Sequence, residues 1–395
     1  MARSGTGSDV TDTSVLDETK SVLRDLVAFD TTSRNSNLPL IEFVADYLSD
    51  RGATTRLIPS ADGAKANLFC TIGPDIPGGV VLSGHSDVVP VDGQDWSTDP
   101  FTLTEANGKL YGRGSADMKG FIACTLAMTT RFAEMDLRRP LHYAFSYDEE
   151  IGCLGVGRLI DAIRSELPRP AAVIVGEPTG MQIATAHKGI CAMTTTVRGR
   201  EAHSSRPQDG VNAIDAAASL VSYLYRLCEE LAKTARDDRF EPPYTTFNVG
   251  QITGGDAINI IARECLLNWE FRPIPGSDPD RIIARVEAWV KDELLPRMQA
   301  TDPSCYIENI CEFVVPPLDA PDGSVPEVFA REATGLNSTG TVAFVTEASL
   351  FADAGIPAIV CGPGDIAQAH QPDEFIEVSQ LDACLGFLER IARQA

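Results

Sequence analysis

The sequence predicts an α/β protein: a mostly parallel sheet with helices on both faces, interrupted by an inserted α+β segment of ferredoxin-like strand order. Three observations predict it. Short apolar runs at 80–85, 141–147 and 171–175 alternate with longer stretches of helical spacing, the pattern of parallel strands joined by crossover helices. Beyond His187 the pattern changes to alternating, Thr-rich segments, as expected of half-exposed antiparallel strands. The length, 395 residues, exceeds what one typical core supports. The expected division is residues 1–185 and 316–395 for one domain and 186–315 for the insertion.

Taken in order, residues 1–13 are rich in Ser, Thr, Asp and Gly and read as a disordered lead-in without the apolar stretch of a secretion signal. Apolar spacing predicts helices over 16–29 and 40–48, the second stopping near Arg51-Gly52. A strand follows over 67–72, then the strand ending at His85. Residues 96–101 and 110–114 read as loop. Asp117 then precedes a helical run over 118–132, either as its N-cap or as a carboxylate kept ionised by the helix dipole. The strand over 141–147 ends in Asp148-Glu149-Glu150. A Gly-rich stretch at 151–157 and a helix over 158–167 lead to the strand 171–175, which ends in Gly176-Glu177-Pro178.

The insertion reads strand 190–197, helix 210–235, strands 245–252 and 264–271, helix 279–295 and strand 306–315, the order of a split βαβ unit. The α/β pattern then returns with helices over 325–334 and 347–354, a buried strand over 357–361, the segment Ala369-His370-Gln371-Pro372, and a closing helix over 379–393.

In parallel sheets ligands bind beyond the carboxyl ends of the strands. His85, Glu149, Glu150, Glu177 and His370 all follow such ends, and Asp117 precedes a helix, so six side chains are expected at one rim. His85 and Asp87, two apart in extended chain, point the same way and form a metal ligand with an orienting carboxylate; the plain alternative is a strand end whose His and Asp bond loop backbone. Two histidines with several carboxylates suit zinc, and the set is large enough for two metals sharing one carboxylate. A paired site polarises a carbonyl and lowers the pKa of a bridging water, and a leftover carboxylate can serve as general base. There is no Walker loop and no G-x-S-x-G elbow, which argues against nucleotide binding and serine hydrolysis.

The formal charge of −23, from 33 basic and 56 acidic residues, argues against a nucleic-acid surface. No apolar run is long enough to cross a bilayer. Ten cysteines without a C-x-x-C pair read as reduced core residues, which makes the cytoplasm the expected location.

Ser83-Gly-His85-Ser-Asp87-Val-Val-Pro, Gly112-Arg-Gly-Ser-Ala-Asp117-Met-Lys-Gly, Asp148-Glu149-Glu150-Ile-Gly and Gly176-Glu177-Pro-Thr resemble, in order, the signatures of the M20 metallopeptidase family. The stretches beginning at Thr31 and at Cys361 look most like those of members that deacetylate N-acetylornithine. Desuccinylases acting on succinyl-diaminopimelate share the metal motifs and differ in the last stretch; other aminoacylases and dipeptidases of the family, and a non-catalytic metal-binding protein on the same fold, are the alternatives.

The resemblance implies a cytoplasmic di-zinc amidohydrolase, with cobalt as an alternative metal, that removes an acetyl group from an N-acylated amino acid in arginine biosynthesis. It implies that His85, Asp117 and Glu177 hold one zinc, that Asp117, Glu150 and His370 hold the other, that Asp87 orients His85, and that Glu149 is the general base on the bridging water. It implies a cis bond after Asp117. The insertion would be a lid and homodimerisation module, closing on hinges near 184 and 316. In it His203 would reach the partner's site to stabilise the oxyanion, and Asn259 and Arg272 would bind the substrate carboxylate. His142, His187 and Glu347 are left without a role, His142 being expected in the core.

Overall fold

The computed structural model describes residues 13–395. The lead-in expected over 1–13 lies outside the described residues, except for Thr13, at which the first helix begins. The described chain divides into two compact units, one of the described residues up to 186 with 319–341 and 346–395, the other of 187–318 and 342–345.

The first unit is built on a sheet whose four central strands, Leu141–Ser146, Val80–His85, Ala172–Pro178 and Ala358–Gly362, lie side by side in that order and run parallel. Antiparallel strands Ala66–Ile72 and then Thr54–Pro59 extend it on one side, and Ala184–His187 pairs antiparallel with Ala358–Gly362 on the other. The central strands are buried along their whole length, which is why they read as continuous apolar runs. Leu68, Leu82, Tyr143 and Ile174 turn to the face covered by helices Thr13–Val27, Leu38–Ser49, Gly120–Glu134, Val325–Thr334 and Val378–Gln394. Val156–Ser165 and Ala348–Asp353 pack on the sheet from the other side.

Several short strands lie beyond the sequence reading, three of them in one small sheet. Lys109–Tyr111, expected as loop, pairs with Thr104–Ala106 and with Phe375–Glu377 in a small antiparallel sheet. Three-residue strands carry too little periodicity to be seen; their partners, far along the chain, define them. The helix expected over 118–132 begins at Gly120, and Lys119, not Asp117, is its N-cap. Residues Ser115–Lys119 form a wide π-type turn in which Asp117 and Met118 have non-helical angles, and the Asp117–Met118 peptide bond is cis.

The second unit is a four-stranded antiparallel sheet in the order Thr246–Gly254, Glu264–Arg272, Ile190–Arg198, Tyr306–Val315. Helices Ala213–Thr234 and Pro279–Trp289 bury Leu220, Leu224, Ile282 and Val286 against Trp269 and Phe271 of the sheet. Strand and helix order is that of the split βαβ unit. The helix expected over 279–295 changes to a π-type turn at Val290–Leu294, ahead of Pro296, whose ring cannot accept a regular turn before it. All ten cysteines are free thiols.

Candidate active site

His85 ends its strand, and the turn after it is tied to the neighbouring strand: Ser86 donates from its backbone N–H (2.8 Å) and its hydroxyl (2.6 Å) to the Ser146 carbonyl. This brings the His85 turn beside Asp148-Glu149-Glu150. The Asp87 carboxylate then accepts the backbone N–H of Glu149 at 3.1 Å and of Glu150 at 3.3 Å, together with the Ser33 hydroxyl at 2.7 Å. Asp87 meets the His85 ring through its carbonyl oxygen, 3.0 Å from Nδ1, while its carboxylate lies 3.7 Å from that nitrogen. Asp87 therefore anchors the two glutamates as well as the histidine.

Asp117 is held in its irregular turn by Gly114, whose φ of +80° suits glycine, and by Glu374. Its two carboxylate oxygens face different histidines: Oδ1 is 3.0 Å from His85 Nε2 and Oδ2 is 3.4 Å from His370 Nε2. Glu177 Oε1 is 3.6 Å from His85 Nε2, and Glu150 Oε2 is 3.0 Å from His370 Nε2. Glu177 can come this close because the preceding residue is glycine. A Cβ at Gly176 would stand 2.1 Å from the Phe121 ring of the helix that follows Asp117.

All six rim residues expected from the sequence are thus brought together. Among the described residues, His85, Glu149 and Glu177 can offer donor atoms within 4.8 Å of one another, and so can His85, Asp117 and Glu150. Glu149 therefore lies close enough to the first histidine to join the donor set as well as to act as a base. His203, Asn259 and Arg272 belong to the second unit. There His203 is exposed on a loop, with Nδ1 2.8 Å from the Ser205 hydroxyl. The Asn259 carbonyl accepts from the Ser204 N–H, and Arg272 pairs with Glu270 at 3.0 Å. His142 is a core residue, between the Thr71 hydroxyl (3.0 Å) and the Gly78 carbonyl (3.3 Å). His187 Nδ1 bonds the Lys188 carbonyl at 2.8 Å.

The electrostatics call for a cation. A carbonyl can only accept, so His85 Nδ1 donates to Asp87 and Nε2 turns towards two carboxylates. Burial works against a charged ring at His85, but the Asp117 hydrogen bond and the Glu177 charge outweigh it and hold its pKa well above the usual value. Hydrogen bonds to Asp117 and Glu150 push His370 up to about 10. Burial, helped by the Asp117 charge, pushes Glu150 up to about 7, and the same two causes raise Glu177. Burial raises Glu149 as well; His85 opposes the shift, while Glu150, Glu347 and Asp117 add to it. Glu347 is buried, and burial pushes it up to about 7, against a lowering hydrogen bond to the Ser146 side chain. Two imidazoles and a surplus of clustered carboxylates fit borderline divalent ions such as zinc, and one carboxylate facing both histidines fits a pair of them.

Ser33, Gln94, Arg113 and Glu374 support this site and were not singled out from the sequence. Ser33, Arg113 and Glu374 lie in stretches that carry the family resemblance, without a role of their own there; in the first of these, the Thr31 hydroxyl straps the His85 turn, donating to the Ser86 carbonyl at 2.6 Å.

A parallel sheet with histidines and carboxylates converging beyond its strand ends defines the class, a metallohydrolase-type α/β fold. The chain belongs to peptidase family M20/M25/M40, whose model matches residues 81–394, and is accordingly a hydrolase. It is 38% identical over 378 residues to an acetylornithine deacetylase of Myxococcus xanthus (94% of this chain, 96% of that one). It is 34% identical over 364 residues to one of Buchnera aphidicola (90% and 92%). The fold is similar to that of aminopeptidase PepT from Bacillus cereus, with a TM-score of 0.75 at 18% identity over 96% of this chain and 98% of that one. No helix among the described residues is long and apolar enough to cross a membrane.

Proposed function

We propose that the chain removes the acetyl group from N2-acetyl-L-ornithine, giving L-ornithine and acetate, in the cytoplasm and as a step of arginine biosynthesis. One observation carries the metal-dependent reading: His85 Nε2 and His370 Nε2 each face carboxylate oxygens, at 3.0 Å in the closest case of each, with Asp117 between them. His85, Asp117 and Glu177 would hold one divalent cation and Asp117, Glu150 and His370 a second, zinc being the first choice and cobalt an alternative. Bound there, such cations polarise the scissile carbonyl and make water acidic enough to attack near neutral pH.

Glu149 takes the proton from the attacking water and delivers it to the departing amine nitrogen as the C–N bond breaks. Its raised pKa, caused by burial and neighbouring carboxylates, supports this role. The second unit is assigned as lid and homodimerisation module. His203, reaching the site of a second copy, donates to the developing oxyanion, and Asn259 and Arg272 hold the substrate carboxylate. The substrate assignment is supported by the identity to acetylornithine deacetylases over most of the chain.

The test compares turnover of N-acetylornithine with that of N-succinyl-diaminopimelate, for wild type and for Glu149→Gln. The proposal expects preference for the first substrate and a fall of roughly 10²–10⁴-fold in kcat for the variant with its metal retained. Preference for the succinyl substrate would overturn the substrate. Undiminished turnover by the variant would remove Glu149 from the mechanism, and no turnover of any N-acyl amino acid by the metal-loaded wild type would favour a non-catalytic binding protein.

A further inference from the structure

Glu374 lies four residues after His370, and its side chain is 1% exposed. Its carboxylate accepts three backbone N–H groups from the turn that carries Asp117: Gly114 at 3.0 Å, Ala116 at 2.9 Å and Asp117 itself at 3.1 Å. It also pairs with the Arg113 guanidinium at 2.8 Å, and Arg113 is equally buried. The contact is extended from both sides. Arg113 donates to the Gln371 carbonyl at 3.3 Å and to Gln94 Oε1 at 2.5 Å, and Gln94 Nε2 donates to the carbonyl of His370 at 3.0 Å. Behind the carboxylate, the Gly112 N–H donates to the Glu374 carbonyl at 2.9 Å.

These bonds carry the pairing of Lys109–Tyr111 with Phe375–Glu377 on into the two adjoining loops, beyond the last ladder pair. His370 has a side chain 54% exposed and a backbone φ of +63°, so neither packing nor a strand ladder fixes its imidazole. Asp117 sits in the non-helical turn before its helix. Beyond that ladder, what lies beneath their 3.4 Å approach is a buried carboxylate from the His370 loop that bonds the amides of the Asp117 loop. His85 and Glu177, by contrast, stand on central strands of the sheet.

We infer that Glu374, with Arg113 and Gln94, is a positioning residue that sets the span between Asp117 and His370, and thereby the affinity for the second cation of the pair. The inference rests on the two-cation reading above. It predicts an asymmetry: loosening the clamp weakens the cation that needs both Asp117 and His370 more than the one that shares only Asp117 with the strand residues His85 and Glu177. Groups that orient ligands from outside the coordination sphere are worth about 10–100-fold in metal affinity.

The experiment titrates Zn2+ into the metal-stripped chain in a chelator-buffered series, counts bound ions, and follows turnover. It is done for wild type, Glu374→Gln and Gln94→Ala. The inference expects two ions on wild type and, on Glu374→Gln, a second ion bound about 10–100-fold more weakly and a first ion weakened less than the second, with activity restored by added Zn2+. Gln94→Ala, at a partly exposed position outside the buried pair, shows a smaller weakening of the second ion only. Unchanged binding of the second ion in Gln94→Ala and in Glu374→Gln overturns it, as does equal weakening of both ions. Should Glu374→Gln fail to fold, Gln94→Ala decides alone by the same criteria. A wild type that binds fewer than two ions refutes the two-cation reading itself, a result separate from any difference among the variants.

Discussion

His85 Nε2 stands 3.0 Å from Asp117 Oδ1, and the proton that could ease that approach is already committed on the other side of the ring, where Nδ1 donates to the Asp87 carbonyl. A neutral imidazole in this setting points a lone pair at a carboxylate. The pair is stable only with positive charge between or on it, and Glu177, 3.6 Å from the same nitrogen, sharpens the requirement. That charge is met either by a second proton on the ring, in line with its raised pKa, or by a bound divalent cation.

Ser33 is the first place to test the support of this site. Its hydroxyl donates at 2.7 Å to the same Asp87 carboxylate that holds the backbone of Glu149 and Glu150. Ser33→Ala removes a hydrogen bond to a charged, buried acceptor, worth about 1.5–3 kcal/mol. Metal affinity or kcat should fall about tenfold or more, with the fold intact by circular dichroism. Kinetics and ion counting indistinguishable from wild type would show that Asp87 needs no help from this strap.

Gly176 tests the packing that delivers Glu177. A methyl group there meets the Phe121 ring at 2.1 Å, closer than any real contact, and the ring is buried in the core of the first unit. Gly176→Ala should lower stability by about 1–3 kcal/mol through overpacking. It should also weaken metal binding as the strand end shifts. A denaturation midpoint equal to that of wild type would mean the core yields there without cost.

His142 gives a pH signature away from the active site. Burial lowers its pKa to about 4, opposed by its bond to the Gly78 carbonyl. The unfolded chain takes up a proton near the ordinary value of 6.5 while the folded chain stays neutral until about 4, so stability falls as the pH drops through that window. The full effect is of the order of 3 kcal/mol. Relative to His142→Gln, the wild type should therefore lose stability between pH 7 and pH 4.5 in urea melts. Parallel pH profiles for the two proteins would contradict the assignment of a neutral core histidine.

Much of this was legible in the chain because the candidate histidine and carboxylates sit at strand ends. An apolar run that stops at a histidine or an acid announces both the strand and its cargo, and His85, Glu149, Glu150 and Glu177 follow that rule. Val325–Thr334 coincides with its helical spacing to the residue. Where the reading fell short, the deciding interaction is distant in sequence. Asp117 resembles an N-cap because capping is local, whereas its real turn is fixed by amides bonded to Glu374, 257 positions away. Glu374 itself follows a His-Gln-Pro-Asp loop with no periodicity, and Ser33 lies 54 positions from its acceptor. Side chains that hold a ligand through another loop's backbone leave no spacing of their own.

The most direct measurement is the metal content of the purified chain, by mass spectrometry or atomic emission, for wild type and for Asp117→Ala. Among the described residues, Asp117 is the carboxylate that faces both histidines. The account predicts two divalent ions per wild-type chain with hydrolysis of N-acetylornithine, and loss of both ions and of activity in the variant. A wild type that hydrolyses the substrate fully after exhaustive chelation, or an Asp117→Ala chain that keeps both ions, would contradict it.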